Sequence, residues 1–205
     1  GSEGRMAGNC IRCVAKYLYD NGVVQSDSLT IETASGVKAL KVYTRNGRVS
    51  SVSVDMGVPD LRTASLPCTL PVERAVRYPA RIGGRLYNIT CMSLGNPHCV
   101  VFTDKVDTLD LSEIGPRFEN APVFPERVNT EFVRVVNRTT LRMRCYERGS
   151  GACAAAAAAV ANGLCARDSD LTIQVPGGTL IVRVRENGVT LHGSAELVYT
   201  GELEI

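Results

Sequence analysis

The stretch ACAAAAAAVAN, residues 152–162, is built from helix-forming residues and carries no charge. A surface helix pairs an apolar stripe with a polar face, whereas a helix apolar all round is buried. With side chains this small, the helix expected here is one that other elements wrap closely. Asn162-Gly163 supplies its C-terminal stop. The elements on either side read as strands. EFVRVVNR (131–138) and TLRMRCY (140–146) precede it. LTIQVP (171–176), TLIVRVRE (179–186), VTLHGSA (189–195) and ELVYTG (196–201) follow, with turns at Gly177-Gly178 and Asn187-Gly188.

The front of the chain echoes this pattern. IRCVAKYLYDN (11–21) repeats apolar residues at Ile11, Val14, Ala15 and Leu18, a helical period, and again stops at Asn-Gly. LTIET (29–33), VKALKVYTR (37–45) and VSSVSVDM (49–56) alternate as strands, with Asn46-Gly47 as a hairpin turn. PARI (79–82) and RLYNITCMSL (85–94) flank a second hairpin at Gly83-Gly84. CVVFT (99–103) is a short apolar strand, and LDLSEIGPRFEN (109–120) is helical at its start. The echo predicts an α+β fold of two similar lobes. Each would be a curled mixed or antiparallel sheet around a central helix, with a ligand cleft between the lobes.

Composition narrows the function. A length of 205 residues allows a sizeable core, and 44% hydrophobic with 21% charged residues is ordinary for a globular chain. A net charge of +2 argues against a broad nucleic-acid footprint. No apolar run reaches membrane-spanning length. The polar opening shows no secretory leader, and eight cysteines is a modest density, so a reduced cytoplasmic compartment is expected. Cys68, Cys91, Cys99, Cys145 and Cys165 read as small buried hydrophobes. His98 and His192 are far apart and no paired ligand cluster occurs, so no metal site is expected.

The turns before the two helices carry the chemistry. Gly8-Asn9 precedes the first helix and Gly149-Ser150-Gly151 the second. A helix start has free N–H groups and a positive dipole end, which hold carboxylates. Two facing each other would clamp the α-carboxylate of an amino acid and stabilise the charge left when its α-proton departs. A thiol at such a start favours thiolate. Two thiols on opposite faces of one carbon could invert it with no cofactor. Cys10-x-x-Cys13 also fits a dithiol redox pair.

Several segments, in order, resemble the diaminopimelate epimerase family. These are GSEGRMAGNCIRCVAKYLYD (1–20), SLGNPHCVVF (93–102), FPERVNTEFVRVV (124–136) and YERGSG (146–151) leading into ACAAAA. VPGGTLIV (175–182) and the closing GELEI (201–205) also fit. The resemblance implies cofactor-independent, two-base interconversion of LL- and meso-diaminopimelate, a step toward lysine and peptidoglycan precursors. It implies a homodimer in the cytoplasm that acts on a small amino acid, with no nucleic-acid or membrane partner. By the same resemblance, Gly8 and Asn9 offer backbone donors to the α-carboxylate, and Asn96 and Asn129 bind the distal end. Glu147 and Arg148 lie beside the substrate, and Glu147 and His98 support proton transfer.

The chain departs from that family pattern in three places. Ala7 stands where the family has its first catalytic cysteine, leaving Cys10 as the candidate base. Gly151 runs straight into Ala152-Cys153-Ala154, without the loop that carries the family's second cysteine. Cys153 therefore matches either that catalytic cysteine or a later, helical one. The family also has an N-terminal portion ahead of this start. The expected division is 1–78 as the remainder of an N-terminal lobe, completed by a strand at 196–205, and 79–195 as the C-terminal lobe. Ala7 keeps an alternative open: a non-catalytic or altered-specificity homologue that binds an amino acid.

Overall fold

A computed structural model describes residues 8–146 and 151–202. Three helices occur among them: α1 (Gly8–Asp20), α2 (Leu111–Glu119) and α3 (Gly151–Ala161). The strands are β1 (Ser28–Thr33), β2 (Gly36–Arg45), β3 (Arg48–Gly57), β4 (Tyr78–Ile82), β5 (Arg85–Ser93), β6 (Pro97–Phe102), β7 (Asn129–Asn137), β8 (Thr140–Tyr146), β9 (Asp170–Val175), β10 (Gly178–Arg185) and β11 (Gly188–Ser194).

All eleven belong to one sheet, ordered β1-β2-β3-β11-β10-β9-β8-β7-β6-β5-β4. Most neighbours are antiparallel. β6–β7 and β8–β9 are parallel, and parallel neighbours need a crossover. α2 supplies the first and α3 the second, on opposite faces. Val100 and Val133 point to the α3 side, whereas Cys99, Val101 and Phe132 point to the α2 side. On the α2 side Phe118 meets Phe132 and Tyr87 edge-on, at centroid distances of 5.4 and 4.9 Å.

The sheet curls around α3. The helix packs against β5, β6, β7, β8, β9, β10 and β11, and every residue from Gly151 to Ala159 is buried. Side chains of methyl size let the strands approach from nearly all sides, which is why this helix needs no polar face. α1 behaves differently and lies mainly on β3. Asp20 pins it there: Val49 N–H donates to Oδ1 at 2.8 Å and Lys16 Nζ sits 2.8 Å from Oδ2. Both helices end alike. Gly22 and Gly163 take positive φ (71° and 69°). Val23 N–H returns to Leu18 O and Leu164 N–H to Ala159 O, each at 2.9 Å, closing a Schellman turn that only glycine enters cheaply.

Two expectations need correction. The lobes are not separate units. β11 pairs with β10 on one side and β3 on the other, so the sheet is continuous. Ile11 and Ala15 of α1 share one core with the alanines of α3. The last strand is also absent among the described residues: 195–202 form no strand, and Leu197, Val198 and Tyr199 are exposed.

The tight wrap is testable by overpacking. Ala156→Leu, at a fully buried position, is expected to lower unfolding free energy by about 1–3 kcal/mol. Ala161→Leu, exposed on the same helix, should change it by less than about 0.5 kcal/mol. Urea unfolding midpoints of the two variants make the comparison.

Candidate active site

α1 and α3 begin at the same cavity. It measures about 400 Å³, and Gly8, Asn9 and Arg12 from α1 border it together with Gly151 and Ala152 from α3. Leu191 and Ser194 of β11 complete one wall. β11 is the element both helices touch, so it sets their starts side by side. Gly8 lies hard against the sheet: a Cβ there would come within 2.8 Å of Leu191 Cδ2 and 3.6 Å of Met56 Cε. First-turn N–H groups of a helix lack an intrahelical acceptor. Two sets of such donors therefore border one space, with the positive dipole ends of both helices. The Asn9 side chain takes up one donor, accepting from Cys10 N–H at 2.9 Å.

A second cavity, about 580 Å³, adjoins the first through Cys145 of β8, which lines both. Pro97, Glu126, Asn129 and Tyr146 border it. Asn129 opens β7, and its Nδ2 donates to Pro97 O at 3.0 Å. Asn96 lies on the other side of Pro97, in a smaller hollow of about 310 Å³ that also reaches Glu126. The two asparagines thus flank one proline. α2 backs this region, because Gly115 sits so close to the Tyr146 ring that a Cβ would overlap it at 2.3 Å.

His98 stands behind Asn96. The ring is fully buried; Nδ1 lies 2.7 Å from Glu131 Oε1 and Nε2 lies 2.9 Å from Asn96 Oδ1. With both nitrogens engaged, the ring reaches the hollow only through the Asn96 amide. Burial lowers the His98 pKa to about 3. The nearby Glu131 carboxyl pulls the other way, toward a charged ring. Glu131 is itself fully buried, and removing two charges from water costs more than their attraction returns unless every hydrogen bond is ideal. The neutral ring is therefore the form at neutral pH.

The remaining candidates are dispersed. Cys10 is exposed on α1 and does not line the cavity; Cys153 is fully buried in α3. Cys10 and Cys13 are free thiols. Ala7, Glu147 and Arg148 lie outside the described residues. Among the described residues no cluster of three His, Cys, Asp or Glu could hold a metal, and no helix is long and apolar enough to cross a membrane. Sequence reading missed Arg12, Glu131 and Cys145. Arg12 sits inside the family-like segment 1–20 and could have been found there. Glu131 and Cys145 look like ordinary strand residues, and only the sheet register brings them to the site.

Proton linkage gives a test of the buried histidine. The folded pKa of His98 lies below its unfolded value of 6.5, so below pH 6.5 the unfolded chain binds a proton that the folded chain refuses. Stability from this site is present above pH 6.5 and falls as pH drops toward 3, by up to about 1.4 kcal/mol per pH unit. His98→Gln is expected to lose that slope in urea melts run between pH 7 and 4.

Comparison with known proteins identifies the family. The family description "Diaminopimelate epimerase" matches residues 90–204. Diaminopimelate epimerase of Desulfovibrio desulfuricans is 43% identical over 221 residues, covering all of this chain and 76% of the relative. That match is longer than this chain, so the relative carries internal residues that this chain lacks. The Geobacillus kaustophilus enzyme is 44% identical, covering 98% of this chain and 73% of its own length. Among solved structures, a probable proline racemase from Agrobacterium radiobacter K84 superposes with a TM-score of 0.68 at 15% identity, covering 93% of this chain and 65% of that one. A hydroxyproline epimerase from Agrobacterium vitis superposes at 0.63 and 16%, covering 93% and 64%. These two likenesses show the fold alone. On its sequence matches, the chain belongs to the diaminopimelate epimerase family of amino-acid epimerases.

Proposed function

We propose that the protein epimerises diaminopimelate at its α-carbon, converting the LL form to the meso form without a cofactor. One observation carries the reading: Gly8 and Gly151, each opening a helix, line a single cavity. Their amides would bind the α-carboxylate and share the charge that forms as the α-proton leaves. The distal amino-acid end would extend past Cys145 into the adjoining cavity and meet Asn129, with Asn96 beside it. Amides suit a zwitterion because they both donate and accept.

The proton would leave one face of the α-carbon and another would arrive on the opposite face, so no atoms are gained or lost. Cys10 and Cys153 are the proposed pair. Each stands two residues beyond a cavity-lining glycine, on α1 and α3 respectively. Glu147 would support the transfer directly and hold the substrate with Arg148. His98 would support it by fixing the Asn96 amide. The homodimer, the cytoplasmic location and the place in lysine synthesis belong to the same proposal and rest on the family resemblance. Ala7 and the exposed position of Cys10 favour one second reading, a homologue that binds the amino acid without inverting it.

Incubation with LL-diaminopimelate in D2O, with no cofactor added, distinguishes these. Incorporation of α-deuterium and appearance of the meso form are expected. Calorimetric binding without exchange would establish the binding homologue instead, and neither binding nor exchange would end both readings. Asn129→Ala should weaken diaminopimelate binding roughly tenfold by removing hydrogen bonds to a charged group, and should raise KM more than it lowers kcat.

A further inference from the structure

Arg12 is the one charged side chain of α1 buried at the cavity. It is only 8% exposed, on the first turns of the helix that Gly8 opens. A buried guanidinium needs hydrogen bonds and a counter-charge. The hydrogen bonds are partly met: Nη1 donates to Gly8 O at 3.0 Å and Nε to Ser194 O at 3.3 Å. The first bond ties the group to its own helix and the second to β11, so its orientation is held from both sides. Among the described residues no carboxylate pairs with Arg12 and no acceptor is bonded to Nη2.

The site also makes room for this group. Gly193 of β11 faces it, and a Cβ there would come within 3.1 Å of Arg12 Cζ and Nε. Arg12 lines the cavity together with Gly8, Asn9, Gly151 and Ala152. A cation held by backbone carbonyls, at the border of a space where two helix starts meet, fits an anion. Burial lowers its pKa and the Cys13, Cys153 and Cys10 thiols raise it. A guanidinium starts so far above neutrality that the group keeps its charge at neutral pH.

We propose that Arg12 binds the ligand in this cavity, its Nη2 edge holding a carboxylate oxygen between the amides of the two helix starts. The ligand's carboxylate supplies a counter-charge, so it is the acid end and not the ammonium end that enters here. The assignment of diaminopimelate as that ligand rests on the reading above; the carboxylate site does not. When an α-proton leaves an amino acid, charge moves onto the carboxylate oxygens. A fixed cation there therefore strengthens as the reaction proceeds, and its loss lowers kcat as well as raising KM.

The test compares the wild-type chain with Arg12→Met and Arg12→Lys, using acetate as the simplest carboxylate and LL-diaminopimelate as the full ligand. Thermal midpoints are read with and without each. Acetate and diaminopimelate are expected to raise the wild-type midpoint. Arg12→Met should lose that rise, with affinity down roughly tenfold or more for one lost charge-assisted bond. Arg12→Lys, which keeps the charge but not the fork, should keep a reduced rise. An equal rise in wild type and Arg12→Met, or none in the wild type with either compound, would overturn the proposal. Should Arg12→Met fail to fold, an undiminished rise in Arg12→Lys would overturn it and a reduced one would uphold it. Deuterium exchange separates the two readings. An Arg12-dependent acetate response with inert diaminopimelate upholds the carboxylate site and sinks the epimerase. Diaminopimelate exchange that Arg12→Met leaves unchanged does the reverse.

Discussion

The space inside the curled sheet admits only methyl-sized side chains, and the rest of the molecule follows from that. Seven strands press on α3. At native packing density a longer side chain on most of its faces would have to displace a strand. The helix has no room to turn or slide, so its first residue is fixed relative to the sheet. A binding site built on backbone N–H groups needs this rigidity, because such donors cannot adjust as a flexible side chain can.

β11 then relates the second helix to the first. It touches α3 on its way through the sheet and pairs with β3, on which α1 rests. Gly8 and Gly193 are both glycines where another residue would collide, Gly8 with Leu191 and Gly193 with Leu180, with Arg12 close behind. Close approach, not backbone freedom, explains them: neither has a positive φ. Two helix starts, one buried cation and two unbranched positions thus meet within a few residues of one strand.

Much of this was legible in the sequence, for local reasons. The Asn-Gly and Gly-Gly pairs marked real turns, since Asn46, Gly47, Gly83 and Gly84 all take positive φ. The alanine run announced a wrapped helix, and turn pairs together with alternation or short apolar runs located eleven strands. What failed was non-local. ELVYTG alternates like a strand, yet strand character needs a partner edge, and 196–201 pairs with none of the described strands. The internal echo suggested two lobes because nothing in a sequence says that β3 will pair with β11. The same blindness hid Glu131, whose carboxyl meets His98 only through the parallel β6–β7 register.

That β3–β11 ladder, from Ser51 opposite Ser194 to Gly57 opposite Val189, joins segments far apart in the sequence. During synthesis β3 leaves the ribosome well before β11, so one of its edges waits open for a partner made later. Closing so long a loop is slow because its entropy must be spent before any bond forms. The cavity at the two helix starts is bounded by β11, so it cannot form before that strand has been made and has paired with β3.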